Sequence, residues 1–186
     1  MLQTIGLVIL QSFYFILPAY GANMMPVIFA KLNWLNCLAK PIDNGKLFAG
    51  QEIFGSHKTW RGLVVGVLGG IIVAGGQALL QSTHIGSLLS LNNYSDNWLL
   101  FGFLGGAGAL LGDLLKSFFK RRFRITSGSA WPIFDQLDFI VGFFLLTIWL
   151  FNPGWLIIMT IFGLTVLLHP LTNIIAFFLG IKKVWW

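Results

Sequence analysis

Between Gly112 and Asp138 the chain reads GDLLKSFFKRRFRITSGSAWPIFDQLD, a stretch with three of its six carboxylates and five of its twelve Lys and Arg residues. Nearly uncharged apolar sequence flanks it on both sides. Charges of both signs beside a bilayer are costly unless water, partners or a metal compensate them, so such a cluster marks function. Asp113, Lys116, Ser117 and Lys120 recur at i, i+3, i+4 and i+7, which is one face of a helix. Asp135 and Asp138 share a second helical face at i and i+3. The basic run Lys120-Arg121-Arg122-Phe123-Arg124 and the small-residue turn Thr126-Ser127-Gly128-Ser129 lie between them. Two carboxylate faces joined by a loop of cations suit a polyphosphate carrying a divalent metal. Asp113, Asp135 and Asp138 are the hard-oxygen ligands that Mg²⁺ prefers, and Lys116, Lys120 and Arg121 match phosphate charge.

The elements that hold these residues are set by composition. With 56% hydrophobic and 10% charged residues among 186, and mean hydropathy +0.81, the chain lies far from soluble proteins, which are about 25% charged. It reads as an all-α integral membrane protein, one compact bundle forming a single domain over 1–186. The single Cys37 allows no internal disulfide, and widely separated His57, His84 and His169 argue against zinc. The net charge of +6 suits helix ends at a membrane surface, so no nucleic-acid partner is expected.

Five spans emerge at about 4–30, 62–82, 98–116, 135–151 and 154–180, since about 20 apolar residues cross the hydrocarbon. Pro18 and Pro26 should kink or break the first, and His169-Pro170 should bend the fifth. The absence of Lys or Arg before Lys31 argues against a cleaved signal peptide. Gly62, Gly66 and Gly70 in the second span, with Gly102, Gly106, Gly108 and Gly112 in the third, permit close helix packing. They leave open a homodimer through the glycine-rich faces. All twelve Lys and Arg residues fall in the loops 31–61 and 113–138 or in the tail with Lys182 and Lys183. The positive-inside rule then puts both loops and the C-terminus in the cytoplasm and the N-terminus outside. Trp185 and Trp186 complete an interfacial anchor. The expectation is a multi-pass cell-membrane protein whose active site faces the cytoplasm.

Both charged loops therefore meet at one headgroup surface. The first ends in Gly55-Ser56-His57-Lys58-Thr59-Trp60-Arg61-Gly62, where Lys58, Thr59 and Arg61 at a helix start can cradle phosphate oxygens. Asn23, polar within the first span, is a further ligand-binding candidate. Arg122, Arg124, Lys182 and Lys183 read as topology and lipid-surface charges, and His57 as a solvated loop histidine. Asp43, Asn44, Phe48 and Glu52 mark only a location for reading a base. Asp113 and Lys116 could form a plain i, i+3 ion pair. That leaves Asp135 and Asp138 unexplained, because paired like charges repel unless a cation joins them.

GSHKTWRG, GDLLKSFFKRR and WPIFDQLDFIVG, in that order, resemble the CDP-archaeol synthase family, which is related to the CDP-diacylglycerol synthases. LPAYGAN and KPIDNGK also look like that family's first span and first cytosolic loop, so the resemblance covers roughly residues 14–145. Asp135-Gln136-Leu137-Asp138 is similar to the D-R-x-D of the diacylglycerol branch. However, Arg61 at an acidic position, Trp131-Pro132-Ile133-Phe134 where that branch has a Gly/His-rich segment, and the small size with five spans favour the archaeol branch. The resemblance implies a membrane cytidylyltransferase that condenses CTP with an isoprenoid ether glycerol phosphate, giving a CDP-activated lipid and pyrophosphate. The substrate tails would lie in a groove between spans, open sideways to the membrane lipids. The alternatives are a CDP-diacylglycerol synthase acting on phosphatidic acid and, more remotely, a small transporter. A CDP-alcohol phosphotransferase expects an Asp-Gly pair, and the chain has none.

Overall fold

The computed structural model describes residues 2–126, 129 and 131–178. The turn residues Ser127 and Gly128 and the tail with Lys182, Lys183, Trp185 and Trp186 lie outside this set, as do the side chains of His169 and Pro170. The described residues are all-helical apart from one short hairpin. They form α1 (Leu2–Lys31), α2 (Trp60–Leu80), α3 (His84–Leu89), α4 (Trp98–Arg122), α5 (Phe134–Thr147) and α6 (Trp155–Phe178). The hairpin pairs β1 (Leu47–Phe48) antiparallel with β2 (Gln51–Glu52) inside the loop between α1 and α2.

Three of the helices, α1 from Thr4 onward, α2 and α4, are long and apolar enough to cross a membrane. The fourth expected span appears as a helix of 14 residues, about 21 Å long at 1.5 Å per residue. That is shorter than a hydrocarbon layer of about 30 Å. Two other expectations need correction. Pro18 and Pro26 do not break α1, which runs as one helix of 30 residues; helices packed alongside satisfy what a proline frees in an apolar setting. The helix of the third span does not stop near residue 116. It continues to Arg122 because LLKSFFKRR contains no breaker, and Lys120, Arg121 and Arg122 complement the negative end of the helix. Asp113, Lys116 and Lys120 are therefore rungs on one continuous helix, not residues of a loop.

Missing side chains hold the bundle together. A Cβ on Gly70 would fall 2.7 Å from the carbonyl oxygen of Gly102, so α2 and α4 touch backbone to backbone. The same occurs between α4 and α5. A Cβ on Gly108 would meet the carbonyl of Gly142, and one on Gly112 would collide with the carbonyl of Asp138. The glycine repeats of α2 and α4 are thus spent on contacts within the chain. Beneath these crossings lies an aromatic core of Phe15, Phe101, Phe143 and Tyr94, all fully buried. Phe15 meets Phe143 edge-on at 5.7 Å, and Phe101 meets it edge-on at 5.8 Å, geometries that favour aromatic pairs.

The crossing of α4 and α5 is the contact nearest the charged residues. Gly112→Ala should lower stability by about 1–3 kcal/mol or more, since overpacking here meets backbone and not a flexible side chain. Gly163→Ala on α6, where a Cβ meets nothing within 4 Å, should be neutral or slightly stabilising. Thermal unfolding of both variants in detergent checks the contrast.

Candidate active site

The charged residues form an alternating ladder. Asp113 projects from the middle of α4 and pairs with Lys58 from the first loop and with Lys116 one turn on, at 3.0 Å. The Lys116 ammonium also reaches Asp138 Oδ2 at 2.9 Å and Asp135 Oδ1 at 3.1 Å, both on the first turns of α5. Lys120 closes the series, 3.0 Å from each oxygen of Asp135, and donates to the Ser129 carbonyl at 2.6 Å. Three carboxylates and three ammonium groups balance, so the cluster carries no net charge. Neutral pairing is what lets ionised groups sit at a largely desolvated helix crossing.

Local chain geometry aims each group. Thr59 caps α2, its Oγ1 accepting from the Gly62 amide at 3.2 Å, so Lys58 points back toward α4 just before the helix starts. Asp135 Oδ2 accepts from the Trp131 amide at 2.6 Å, which folds the approach to α5 over its first turn. Ile133, immediately before α5, has φ 71°. A β-branched residue in that region is strained, at a cost of order 1–3 kcal/mol, and persists only where surrounding contacts demand it.

The first loop is closed on itself. Ile42 donates to the Lys58 carbonyl at 2.8 Å and Trp60 to the Lys40 carbonyl at 3.0 Å, tying its two ends together. Inside it the buried Asp43 carboxylate accepts from the amides of Gly45 (3.0 Å), Phe54 (3.0 Å) and Gly55 (3.3 Å). Burial by itself would raise its pKa, but those amide donors outweigh it and hold the carboxyl below its ordinary value. Asp43 is committed to its own backbone and is not free to read a base.

Two clefts flank the ladder. One, of about 380 Å³, is walled by His57, Lys58, Thr59, Asp113, Pro26 and Ile42. The other, about 1210 Å³ measured to its open mouth, runs between α4 and α5 and is almost wholly apolar. Leu115, Phe119, Phe123, Phe134, Val141 and Leu145 line it, and Lys116 and Asp138 are its charged members. Trp131 stacks on Phe134 at 4.4 Å beside it.

Of the residues singled out from sequence, Lys58, Asp113, Lys116, Lys120, Asp135 and Asp138 converge, with Thr59 in the wall of the first cleft. Others are placed elsewhere. Arg61 turns away to donate to Asn36 Oδ1 at 2.8 Å and the Trp34 carbonyl at 3.3 Å. It lies on the first turn of α2, on a face that meets the start of the first loop and not the cleft. Arg121 caps the end of α4 through the Ile125 carbonyl at 2.7 Å. Ser117 is buried within α4, and Asn23 is half-buried on α1; both lie outside the two clefts. His57 is exposed, as its loop position suggested, and stands at the rim of the first cleft. The aromatic wall was also missed, though Leu115, Phe119 and Phe123 repeat at helical spacing on α4.

The donor set bears on a metal. Three carboxylates already converge on one cation, the Lys116 ammonium, and as the side chains stand no three acidic or His/Cys groups among the described residues share a metal position. The ammonium fills their focus. Hard oxygens that gather around one cation fit Mg²⁺ once Lys116 turns toward another anion.

The comparisons decide the family. The CDP-archaeol synthase family model matches residues 5–186. This chain belongs to the CDP-archaeol synthase family. It is 39% identical to the CDP-archaeol synthase of Methanococcus aeolicus over 96% of this chain and 97% of that one. The enzyme of Methanospirillum hungatei is 41% identical over 91% and 99%, and that of Methanocaldococcus jannaschii 36% over 94% and 96%. A solved intramembrane enzyme for archaeal membrane lipids biosynthesis superposes with a TM-score of 0.67 at 28% identity, covering 87% of this chain and 91% of that one. The resemblance read from three motifs thus extends to nearly the whole chain, and every rung of the ladder falls inside the match.

Two outcomes test the site. Lys116→Ala leaves three carboxylates facing one another, so it should cost about 3–5 kcal/mol of stability and at least about 100-fold in turnover. Arg61→Ala should keep turnover within about threefold of wild type, as a half-buried residue whose hydrogen bonds go to Trp34 and Asn36 and not to the ladder. The Asp43 anchor carries a pH signature. A carboxyl whose folded pKa is depressed contributes fully above its unfolded value of about 3.8, and the contribution is lost as pH falls through the folded value. Amide exchange over residues 44–56, compared with Asp43→Asn at the same pH, should show extra protection at about pH 6 and none at about pH 2.

Proposed function

We propose that the chain is a membrane cytidylyltransferase joining CTP to an isoprenoid ether glycerol phosphate, with release of pyrophosphate. The observation that carries this reading is the position of the ladder between a small cleft that presents Lys58, Thr59, His57 and Asp113 and a large apolar groove. A nucleotide needs the first and a lipid phosphate with its tails needs the second. Their phosphates must meet between them.

The nucleophile requires little activation, because a phosphate monoester is mostly dianionic at neutral pH, with a second pKa of about 6. One of its oxygens bonds to the α-phosphorus of CTP while the bond from that phosphorus to the bridging oxygen of pyrophosphate breaks. Lys58 exchanges Asp113 for a nucleotide phosphate oxygen, with Thr59 and His57 beside it. Lys116, which reaches the ladder from the groove side, exchanges a carboxylate for the lipid phosphate, and Lys120 holds Asp135 in place. Asp113, Asp135 and Asp138 would then hold Mg²⁺, which neutralises charge on the triphosphate and the departing pyrophosphate. The protein's part is alignment and charge compensation, the main terms in phosphoryl-type transfers.

The same reading takes α5 and α6 as the fourth and fifth spans, with the ladder at cytoplasmic headgroup depth and the N-terminus outside. The concentration of Lys and Arg in the described loops on one face supports it. The short α5 then starts at headgroup depth, and the chain between α4 and α5 lies at the membrane surface.

Labelled CTP, Mg²⁺ and purified protein should move label into digeranylgeranylglyceryl phosphate and not into diacyl phosphatidic acid. EDTA should abolish transfer, and Asp135→Ala should reduce it by about 100-fold or more. Preference for the diacyl lipid would keep the chemistry and replace the substrate, while no transfer to either would overturn the reading. Val141→Trp, which fills the groove away from the charges, should raise KM for the lipid and leave KM for CTP within about twofold.

A further inference from the structure

Arg122 is the last residue of α4, and its side chain crosses to the first loop. Its guanidinium donates to the carbonyl oxygens of Phe48, Gln51 (3.5 Å) and Glu52 (2.6 Å), three acceptors on one hairpin. It also lies 5.1 Å from the centre of the Phe48 ring and 4.9 Å from that of Phe118, held between a ring of the loop and a ring of α4. Its Nε is buried. A charge kept only for membrane topology would extend into water. This one is half-buried, with both terminal nitrogens of its fork turned to backbone acceptors, a geometry that lysine cannot reproduce.

The hairpin stands at the middle of the loop whose end supplies Lys58 and His57. That loop is closed by the hydrogen bonds at Ile42 and Trp60 and cross-linked internally by Asp43. It is fastened to α4 by ionic or charge-assisted contacts at two heights, Lys58 with Asp113 and Arg122 with the hairpin. If the proposed reaction holds, a nucleotide phosphate competes for Lys58 and the first fastening opens. The second does not involve substrate.

We propose that Arg122 is a positioning residue for the nucleotide. It keeps the first loop docked on α4 while Lys58 exchanges Asp113 for phosphate, so that the loop cleft does not have to be reassembled at each turnover. The inference rests on the cytidylyltransferase reading of the same site. It assigns Arg122 to CTP capture and excludes it from the chemical step and from the lipid groove.

The test compares wild type, Arg122→Ala and Arg122→Lys in the label-transfer assay, with both KM values and kcat measured and thermal unfolding followed. Arg122→Ala should raise KM for CTP about tenfold or more, with kcat and KM for the lipid within about threefold. Arg122→Lys should recover only part of the loss, because one ammonium replaces a fork. Amide exchange over residues 44–59 should rise in Arg122→Ala without nucleotide, a readout that does not depend on turnover. An unchanged KM for CTP would overturn the proposal. So would a fall in kcat with both KM values altered and a lower melting point, which is general destabilisation. Should Arg122→Ala fail to purify folded, Arg122→Lys with Phe48→Ala applies the same criteria. Wild type without transfer activity would reject the underlying function, whereas an active wild type with an indifferent Arg122 would reject this inference alone.

Discussion

The site depends on how closely two helices can approach. At Gly108, Gly112 and Gly142 the backbones of α4 and α5 lie against each other, and a methyl group at any of the three would meet a carbonyl of the other helix. Gly112 immediately precedes Asp113, and its obstructing neighbour would be the carbonyl of Asp138. The contact that joins the helices therefore also sets the separation of the carboxylates. With larger residues there, one ammonium group could not reach Asp113, Asp135 and Asp138 together. In an apolar surrounding, where hydrophobic burial does not drive helices together, such close packing is a principal source of association.

Close approach creates an electrostatic problem that the ladder answers. Three ionised carboxylates at a helix crossing repel one another, and each lost water shell costs several kcal/mol. Alternation with Lys58, Lys116 and Lys120 neutralises the cluster while leaving every member exchangeable. An anionic ligand can take a lysine, and a cation can take the carboxylate left behind. A site preorganised in this way is primed for two ligands of opposite charge and poorly suited to either alone.

Much of this was legible in sequence because it depends on spacing along one helix. Asp113, Lys116 and Lys120 share a face by period alone, and Asp135 with Asp138 does likewise. Hydropathy showed the helices, and the glycine repeats showed which faces approach. What was not legible depends on where side chains turn after the helices pack. Arg61 and Lys58 lie three residues apart in a basic motif, yet the start of α2 falls between them and sends them to different neighbours. Arg122 reads locally as one more interfacial charge, because nothing near it in sequence reveals three carbonyl acceptors 70 to 74 residues earlier. The end of α4 is hard to read for a related reason: a charged run after an apolar segment resembles a loop, whereas the helix carries its charges on to Arg122.

The two clefts explain why such a small chain suffices for a reaction between partners of opposite solubility. A lipid phosphate cannot leave the interface and a nucleotide cannot enter the hydrocarbon, so catalysis needs a boundary open to each from its own side. The groove between α4 and α5 is apolar until it reaches Lys116 and Asp138. The loop cleft has apolar walls but carries His57, Lys58, Thr59 and Asp113. Asp113 and Lys116 are one helical turn apart and ion-paired at 3.0 Å. The reacting groups thus need no large domain to bring them together. Two faces of one turn of α4, exposed on opposite sides of the same ion pair, already hold the approach paths within reach of each other.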